Sequence, residues 1–276
     1  EWVLAYTAIT AIGAVAVGMN AHWQADEMAF ALTDCDARVV FADTERLQRL
    51  VGRKQKVVLR LKMDAQRLPD APSANLIAEW TGREKPEEIV LIGGHIDSWD
   101  VGTGAMDDGG GSMVVWEAAR LLKSLGLRPR RTVRVALFTN EENGLRGGLA
   151  YRDQHQSEVH VAALESDSGV FKPRGFGFTG SEAARTIVKD IAGLLSPIDA
   201  ANVAADGGGA DIGPLVRAKK VPSFSLDVDN SRYFLLHHTP ADTLDKLNAD
   251  DVARCAASVA VMAYVLADLP ERLPAP

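Results

Sequence analysis

Five stretches of this chain place acidic or imidazole side chains at, or just beyond, the point where an apolar strand runs out. They are IVLIGGHIDSWD (89–100), GAMDDGGG (104–111), VRVALFTNEEN (133–143), HVAALESDSG (160–169) and YFLLHHTPADT (233–243). In open α/β sheets ligands gather beyond the carboxyl ends of the strands, where neighbouring loops diverge. His95 and Asp97 follow one apolar run, Glu141 and Glu142 a second, and Asp167 a third. Three strands thus deliver donors to one edge. With Asp107 and His238, the blocks hold the nitrogen and oxygen ligands that two zinc ions need, and one carboxylate is left over for proton transfer.

From Asn75 onward strands and helices alternate, which predicts an α/β fold: a three-layer sandwich with a mixed, mostly parallel central sheet. Strands are expected at Ile89–Ile92, Val133–Phe138, Val161–Leu164 and Val221–Leu226, the last despite Pro222. Helices are expected at Ser112–Leu125, stopped by Gly126, at Glu182–Leu195, and at Asp250–Leu269, stopped by Pro270. The first fifty residues read as helix Trp2–Ile12, strand Ala14–Met19, helix Ala25–Thr33 and strand Arg38–Ala42. Lys56–Met63 alternates apolar and basic residues as a further strand, and LPDAPSAN (68–75) is a turn-rich link.

The formal net charge of -7 argues against a nucleic-acid partner, because no basic stripe is available to neutralise phosphates. Cys35 and Cys255 make neither a disulfide framework nor a metal-binding pair, so any zinc is held by nitrogen and oxygen. The apolar run Ala8–Met19 is too short for a membrane span, and Glu1 stands where a Met-initiated signal would begin. The opening reads as internal to a longer sequence.

Each block taken alone has an ordinary explanation. H-x-D is commonly a turn after a strand, Glu-Glu a solvated surface, Asp-Asp-Gly a loop, and His237-His238 a polar strand end. Their convergence changes the reading, since several carboxylates on one edge repel at close range unless cations lie between them. Two Zn²⁺ bring four positive charges. Asp107, Glu142 and Asp167 with one hydroxide bring four negative ones, and neutral His95 and His238 complete the shells.

GGHIDSWDVGTGAMDDGGGSMVVWEA, LGLRPRRTVRVALFTNEENG, LESDSGVF, FTGSEAAR and HHTPADT resemble the co-catalytic zinc aminopeptidase and carboxypeptidase family, over about residues 54–273. The resemblance implies a metallopeptidase, an exopeptidase acting on short peptides with two Zn²⁺ as cofactors. His95, Asp107 and Asp167 would hold the first ion, Glu142 and His238 the second, and Asp107 would bridge them. Glu141 would be the general base, and Asp97 and Asp242 would orient His95 and His238. It further implies a cis peptide between Asp107 and Asp108, a secreted, periplasmic or lysosomal setting, and room for a homodimer. Residues 1–47 resemble a fragment of the adenylate-forming acyl-CoA synthetases, without that family's nucleotide-binding motifs. The expected organisation is a synthetase-like segment at 1–50, the exit from a lid domain at 51–72, and a catalytic domain at 73–276.

Some positions carry two readings. Gly109, Gly110 and Gly111 form either a flexible loop or a close backbone approach beside the metals. Asp211 either caps a helix or touches Glu141 or substrate through hydrogen bonds. Tyr233 is either core or a donor to the tetrahedral oxyanion, and Trp99 is packing or a pocket wall. Asp108, Asp211, Tyr233 and Asp242 are therefore candidates around the metals and substrate. Two other functions share this pattern: a single-zinc glutaminyl-peptide cyclotransferase, and a catalytically inert truncated or fused product.

Overall fold

The computed structural model describes residues 2–20, 22–51 and 68–275. Two units separate along the chain, Glu1–Asp70 and Ala71–Pro276. In the first, α1 (Trp2–Ala11), α2 (Ala25–Asp34) and α3 (Thr44–Val51) are joined by irregular segments. At the start of α2 the Gln24 backbone N–H donates to the Glu27 carboxylate at 2.8 Å, which places acidic charge at the positive end of the helix. The strands expected at Ala14–Met19 and Arg38–Ala42 are absent. A strand exists only when a neighbour accepts and donates its ladder hydrogen bonds, and these segments have no such neighbour among the described residues. Val15, Val39 and Phe41 accordingly stand exposed. The sequence reading missed α3, and the strand expected at Lys56–Met63 lies outside the described residues.

The second unit is built on β1 (Leu76–Trp80), β2 (Lys85–His95), β3 (Arg131–Phe138), β4 (Val159–Glu165), β5 (Pro173–Thr179), β6 (Asn202–Ala204) and β7 (Ser223–Val228). They form one seven-stranded sheet in the order β1-β3-β2-β4-β7-β5-β6. Its centre, β3-β2-β4-β7, is parallel, while β1 runs antiparallel to β3, β5 runs antiparallel to β7, and β5 and β6 pair parallel. The mixed, mostly parallel sheet expected from the alternating pattern is thus present. Pro222 falls just before β7, where no ladder N–H is lost.

Side chains alternate across a strand, so β2 serves two cores. Val90 and Ile92 pack on one face with α4 (Gly110–Ser124), α6 (Glu182–Gly193) and α8 (Ala249–Asp268). Leu91 packs on the other with Tyr151 of α5 (Arg146–Gln154) and Leu215 of α7 (Gly213–Lys219). Complete burial of each such aliphatic side chain is worth ~1.5–3 kcal/mol. A continuous apolar run is what a strand covered on both faces requires. No helix among the described residues is long and apolar enough to cross a membrane.

On the α5 face, Arg134 donates to the Tyr151 hydroxyl at 3.0 Å, and that hydroxyl lies 2.8 Å from Nε2 of buried His160. Burial, reinforced by the positive charges of Arg134 and Lys219, lowers the His160 pKa to about 4. The unfolded chain therefore binds a proton at this residue near pH 6.5 that the folded chain refuses until pH 4. The contribution is fully present above pH 6.5 and is lost as pH falls through this window. It amounts to ~3 kcal/mol in all, with a slope of up to ~1.4 kcal/mol per pH unit. Urea denaturation of His160→Gln at several pH values should show a shallower acid decline than wild type between pH 6.5 and 4. Parallel curves would exclude this role.

Candidate metal centre

Strand register brings the donors level with one another. His95 pairs with Phe138 and Gly93 with Glu165, so Glu141, Glu142 and Asp167 leave the sheet beside His95. After β3 the chain turns at Asn140, whose φ of 61° lies in the left-handed region that asparagine tolerates better than most residues. After β7, a short 3-10 turn at Asn230–Leu235 carries Tyr233 and leads to His237 and His238. Asp107 and Asp108 lie between β2 and α4, and the peptide bond joining them is cis. The glycines that follow allow this segment to pack closely. A Cβ on Gly111 would collide with the Ser166 carbonyl and the Asp108 carboxylate, which supports close approach over a flexible loop.

The five expected ligands and the expected base gather in one cluster, with Asp107 between the two imidazoles. Its Oδ1 lies 3.3 Å from His95 Nε2, and its Oδ2 lies 3.2 Å from His238 Nε2. His95 Nε2 is also 3.4 Å from Asp167 Oδ1 and 4.0 Å from Glu141 Oε2, and His238 Nε2 is 2.8 Å from Glu142 Oε2. A tetrahedral site with bonds of about 2.0–2.1 Å has edges of about 3.3 Å, so most of these spacings suit ligands around an ion. Within 4.8 Å of one another lie donor atoms of three groups: His95, Asp107 and Glu142; His95, Asp108 and Asp167; and Asp107, His237 and His238.

A second observation tests the fit. His95 Nε2, Asp107 Oδ2 and Glu142 Oε1 are buried without a hydrogen-bond partner among the described residues. Unsatisfied buried polar atoms are costly, and these belong to residues whose atoms a metal would take. Electrostatics agree. Burial opposes charge on His95, yet the Asp107 and Asp167 carboxylates outweigh it and push the pKa up to about 12. That proton reports how strongly the cluster attracts positive charge; a cation at the same nitrogen would replace it. Burial raises the pKa of Glu141, with Asp167, Glu142 and Asp107 adding to the rise and His95 opposing it.

The contacts of the supporting acids differ from those expected. His95 Nδ1 faces the backbone carbonyl of Asp97 at 2.9 Å, and the Asp97 carboxylate is farther away at 3.8 Å. That carboxylate instead accepts the backbone N–H groups of Glu141 and Glu142, at 3.0 and 3.3 Å. Asp97 therefore orients His95 through its main chain and holds the two-glutamate turn through its side chain. Asp242 accepts from Met106 and Asp107 N–H at 2.6 and 3.1 Å, so it fixes the backbone of Asp107 rather than the ring of His238. Asp108 accepts the His95 N–H at 3.0 Å.

Asp211 does not cap α7. Both its carboxylate oxygens are buried without a hydrogen-bond partner, and burial with the nearby Glu165 charge raises its pKa to about 9. Glu165 and His237 escaped the sequence reading. Glu165 is a fully buried strand end that accepts Ile212 N–H at 2.8 Å. His237 places Nε2 3.4 Å from Asp107 Oδ2. The His-His pair was the only available signal, and it does not say which ring faces inward.

Beside these groups lies a cavity of about 280 Å³, lined by Asp107, Glu141, Glu142, Asp167, Tyr233, His237 and His238. Residues 1–92 match the AMP-binding enzyme model. Over 240 residues the chain is 45% identical to carboxypeptidase Q of Rattus norvegicus, a match spanning 86% of this chain and 51% of that protein. The chain thus spans about half the length of the curated relatives it matches. Among solved structures, the Peptidase M28 precursor from Shewanella amazonensis SB2B superposes with a TM-score of 0.69 at 41% identity, covering 73% of this chain and 46% of that one. BSAP, a zinc aminopeptidase from Bacillus subtilis, superposes at 0.56 and 22% identity, covering 72% and 53%, a likeness of fold. Residues 75–263, which hold every donor described above, match the model of Peptidase family M28, and the chain belongs to that family.

Proposed function

We propose that this chain is a zinc-dependent exopeptidase that hydrolyses dipeptides and other short peptides, with two zinc ions at the cluster and Glu141 as general base. The observation that carries this reading is the pair of imidazoles meeting one shared carboxylate, Asp107, with buried atoms of His95, Asp107 and Glu142 left unpartnered. His95, Asp107 and Asp167 would hold one ion, and Asp107, Glu142 and His238 would hold the other. When bound, zinc supplies Lewis-acid polarisation of the scissile carbonyl and acidifies water.

The remaining work falls to the chain. Glu141, beside the donors and bordering the cavity, takes the proton of the attacking water and passes it to the leaving amine. Burial and the carboxylates of Asp107 and Asp167 raise the Tyr233 pKa, so its hydroxyl keeps a proton to donate to the developing oxyanion. Asp97 and Asp242 hold the backbones of Glu141, Glu142 and Asp107, and Asp108 anchors His95. The cavity admits a dipeptide-sized ligand. The zinc named for BSAP and the carboxypeptidase activity named for the rat relative support the same chemistry. In this reading residues 73–276 form the catalytic domain, 51–72 the exit from a lid, and 1–50 a segment outside the machinery.

Zinc analysis paired with a dipeptide panel tests the proposal. The expected result is two zinc ions per chain and release of free amino acids, abolished by chelation and restored by zinc. Chelation should also lower the melting temperature, because an ion bound only by the folded state at 1,000 times its Kd stabilises it by about 4 kcal/mol. One zinc per chain with release of ammonia would favour the glutaminyl-peptide cyclotransferase reading. A folded chain that binds no zinc would overturn both.

A further inference from the structure

The two ligand imidazoles are held in different ways. His95 is buried, and its Nδ1 meets the Asp97 carbonyl at 2.9 Å. A metal-ligating histidine usually has its other ring nitrogen tied in this manner. His238 is about one-third exposed, and among the described residues no hydrogen bond reaches its Nδ1. It also lies at φ 58°, a left-handed conformation that non-glycine residues seldom adopt. Its direction must therefore be set by something other than the usual hydrogen bond.

Two aromatic rings stack on the His238 imidazole. The Trp99 indole lies on one side of the His238 ring, with centroids 4.6 Å apart and planes 12° from parallel. His237 stacks on His238 at 3.6 Å and 17°. Trp99 stands in a turn after β2, closed by Gly102 N–H donating to its carbonyl at 3.2 Å. In this stacked position His238 Nε2 faces Asp107 and Glu142, at 3.2 and 2.8 Å.

We infer that Trp99 is a positioning residue for the metal centre: its indole face clamps His238 and so tunes the affinity of the ion held by His238, Glu142 and Asp107. Trp99 offers no ligand atom, and its contribution passes through the orientation of the imidazole. The inference rests on the zinc reading above. It adds that the two ions are held unequally, one by a buried, hydrogen-bonded histidine and the other by a stacked, partly exposed one.

Chelator-competition titration of zinc on wild type, Trp99→Leu and Trp99→Phe tests it. Leucine keeps apolar bulk without an aromatic face, and phenylalanine keeps the face. An aromatic pair of this kind corresponds to about a tenfold effect. The expected result is a loss of about tenfold in the affinity of one zinc in Trp99→Leu, the other unchanged, with Trp99→Phe within about threefold of wild type. A leucine variant that binds both ions with wild-type affinity, or a phenylalanine variant as weak as leucine, overturns the inference and leaves the zinc reading standing. Wild type that binds no zinc overturns both. Indole emission supplies an independent readout. Zinc should change the emission of wild type through Trp99 and not that of Trp99→Phe; an equal change in the two proteins overturns the clamp.

Discussion

Glu141→Gln will lower kcat about 10²- to 10⁴-fold while leaving zinc content at the wild-type level, because proton transfer by a positioned side chain supplies a factor of that order. Glu141 Oε2 lies 4.0 Å from His95 Nε2, farther from that nitrogen than Asp107 or Asp167. It borders the cavity, and its backbone N–H is fixed by Asp97 at 3.0 Å. Glutamine preserves the shape and the backbone contact and removes only the basic oxygen. Metal analysis beside steady-state kinetics on a dipeptide separates the roles. Loss of zinc would make Glu141 a ligand, and full turnover would remove it from the proton path.

Asp107→Ala will act on a different quantity. This carboxylate has one oxygen facing His95 and the other facing His237 and His238, so under the proposed two-zinc reading its removal would take a ligand from both sites at once. Loss of an outer partner of a metal ligand costs about 10- to 100-fold in affinity, and loss of a shared ligand should exceed that at each ion. Zinc content should fall from two toward zero, with hydrolysis below detection. The roughly 4 kcal/mol of zinc-dependent stabilisation expected of wild type at 1,000 times Kd should vanish as well. Retention of one tightly held ion by the alanine variant would show that Asp107 serves a single site.

The two variants probe links that differ in how far local sequence carries them. The ends of β2, β3 and β4 were legible because continuous apolar runs covered on both faces are interrupted by charge in one place, the edge where the sheet stops. Strands β1, β5 and β6 and helices α5 and α7 gave no comparable signal. They are short, carry glycine or charge, or lie toward the outer parts of the sheet, and they owe their form to their partners. The strands expected at Ala14–Met19 and Arg38–Ala42 show the same principle in reverse, since β-forming residues without a neighbour remain irregular.

Within the site the same division holds. The chemical identity of the donors was readable, because imidazole and carboxylate at strand ends have few structural uses at that density. Their pairing was not. Asp97 meets His95 with its main chain and the glutamate turn with its side chain, Asp242 serves Asp107 rather than His238, and Trp99 and His237 both stack on the second imidazole.

By itself the order of residues determined the layered α/β class, the edge at which imidazoles and carboxylates gather, and the stock of candidate ligands. Those properties follow from strand periodicity and side-chain chemistry, which act over a few residues. Only the tertiary structure decided which oxygen faces which nitrogen, because that depends on loops from four parallel strands meeting across more than a hundred residues of chain. The net effect of burial and mutual charge at that meeting point, absent from any one segment, is a raised pKa for both His95 and Glu141.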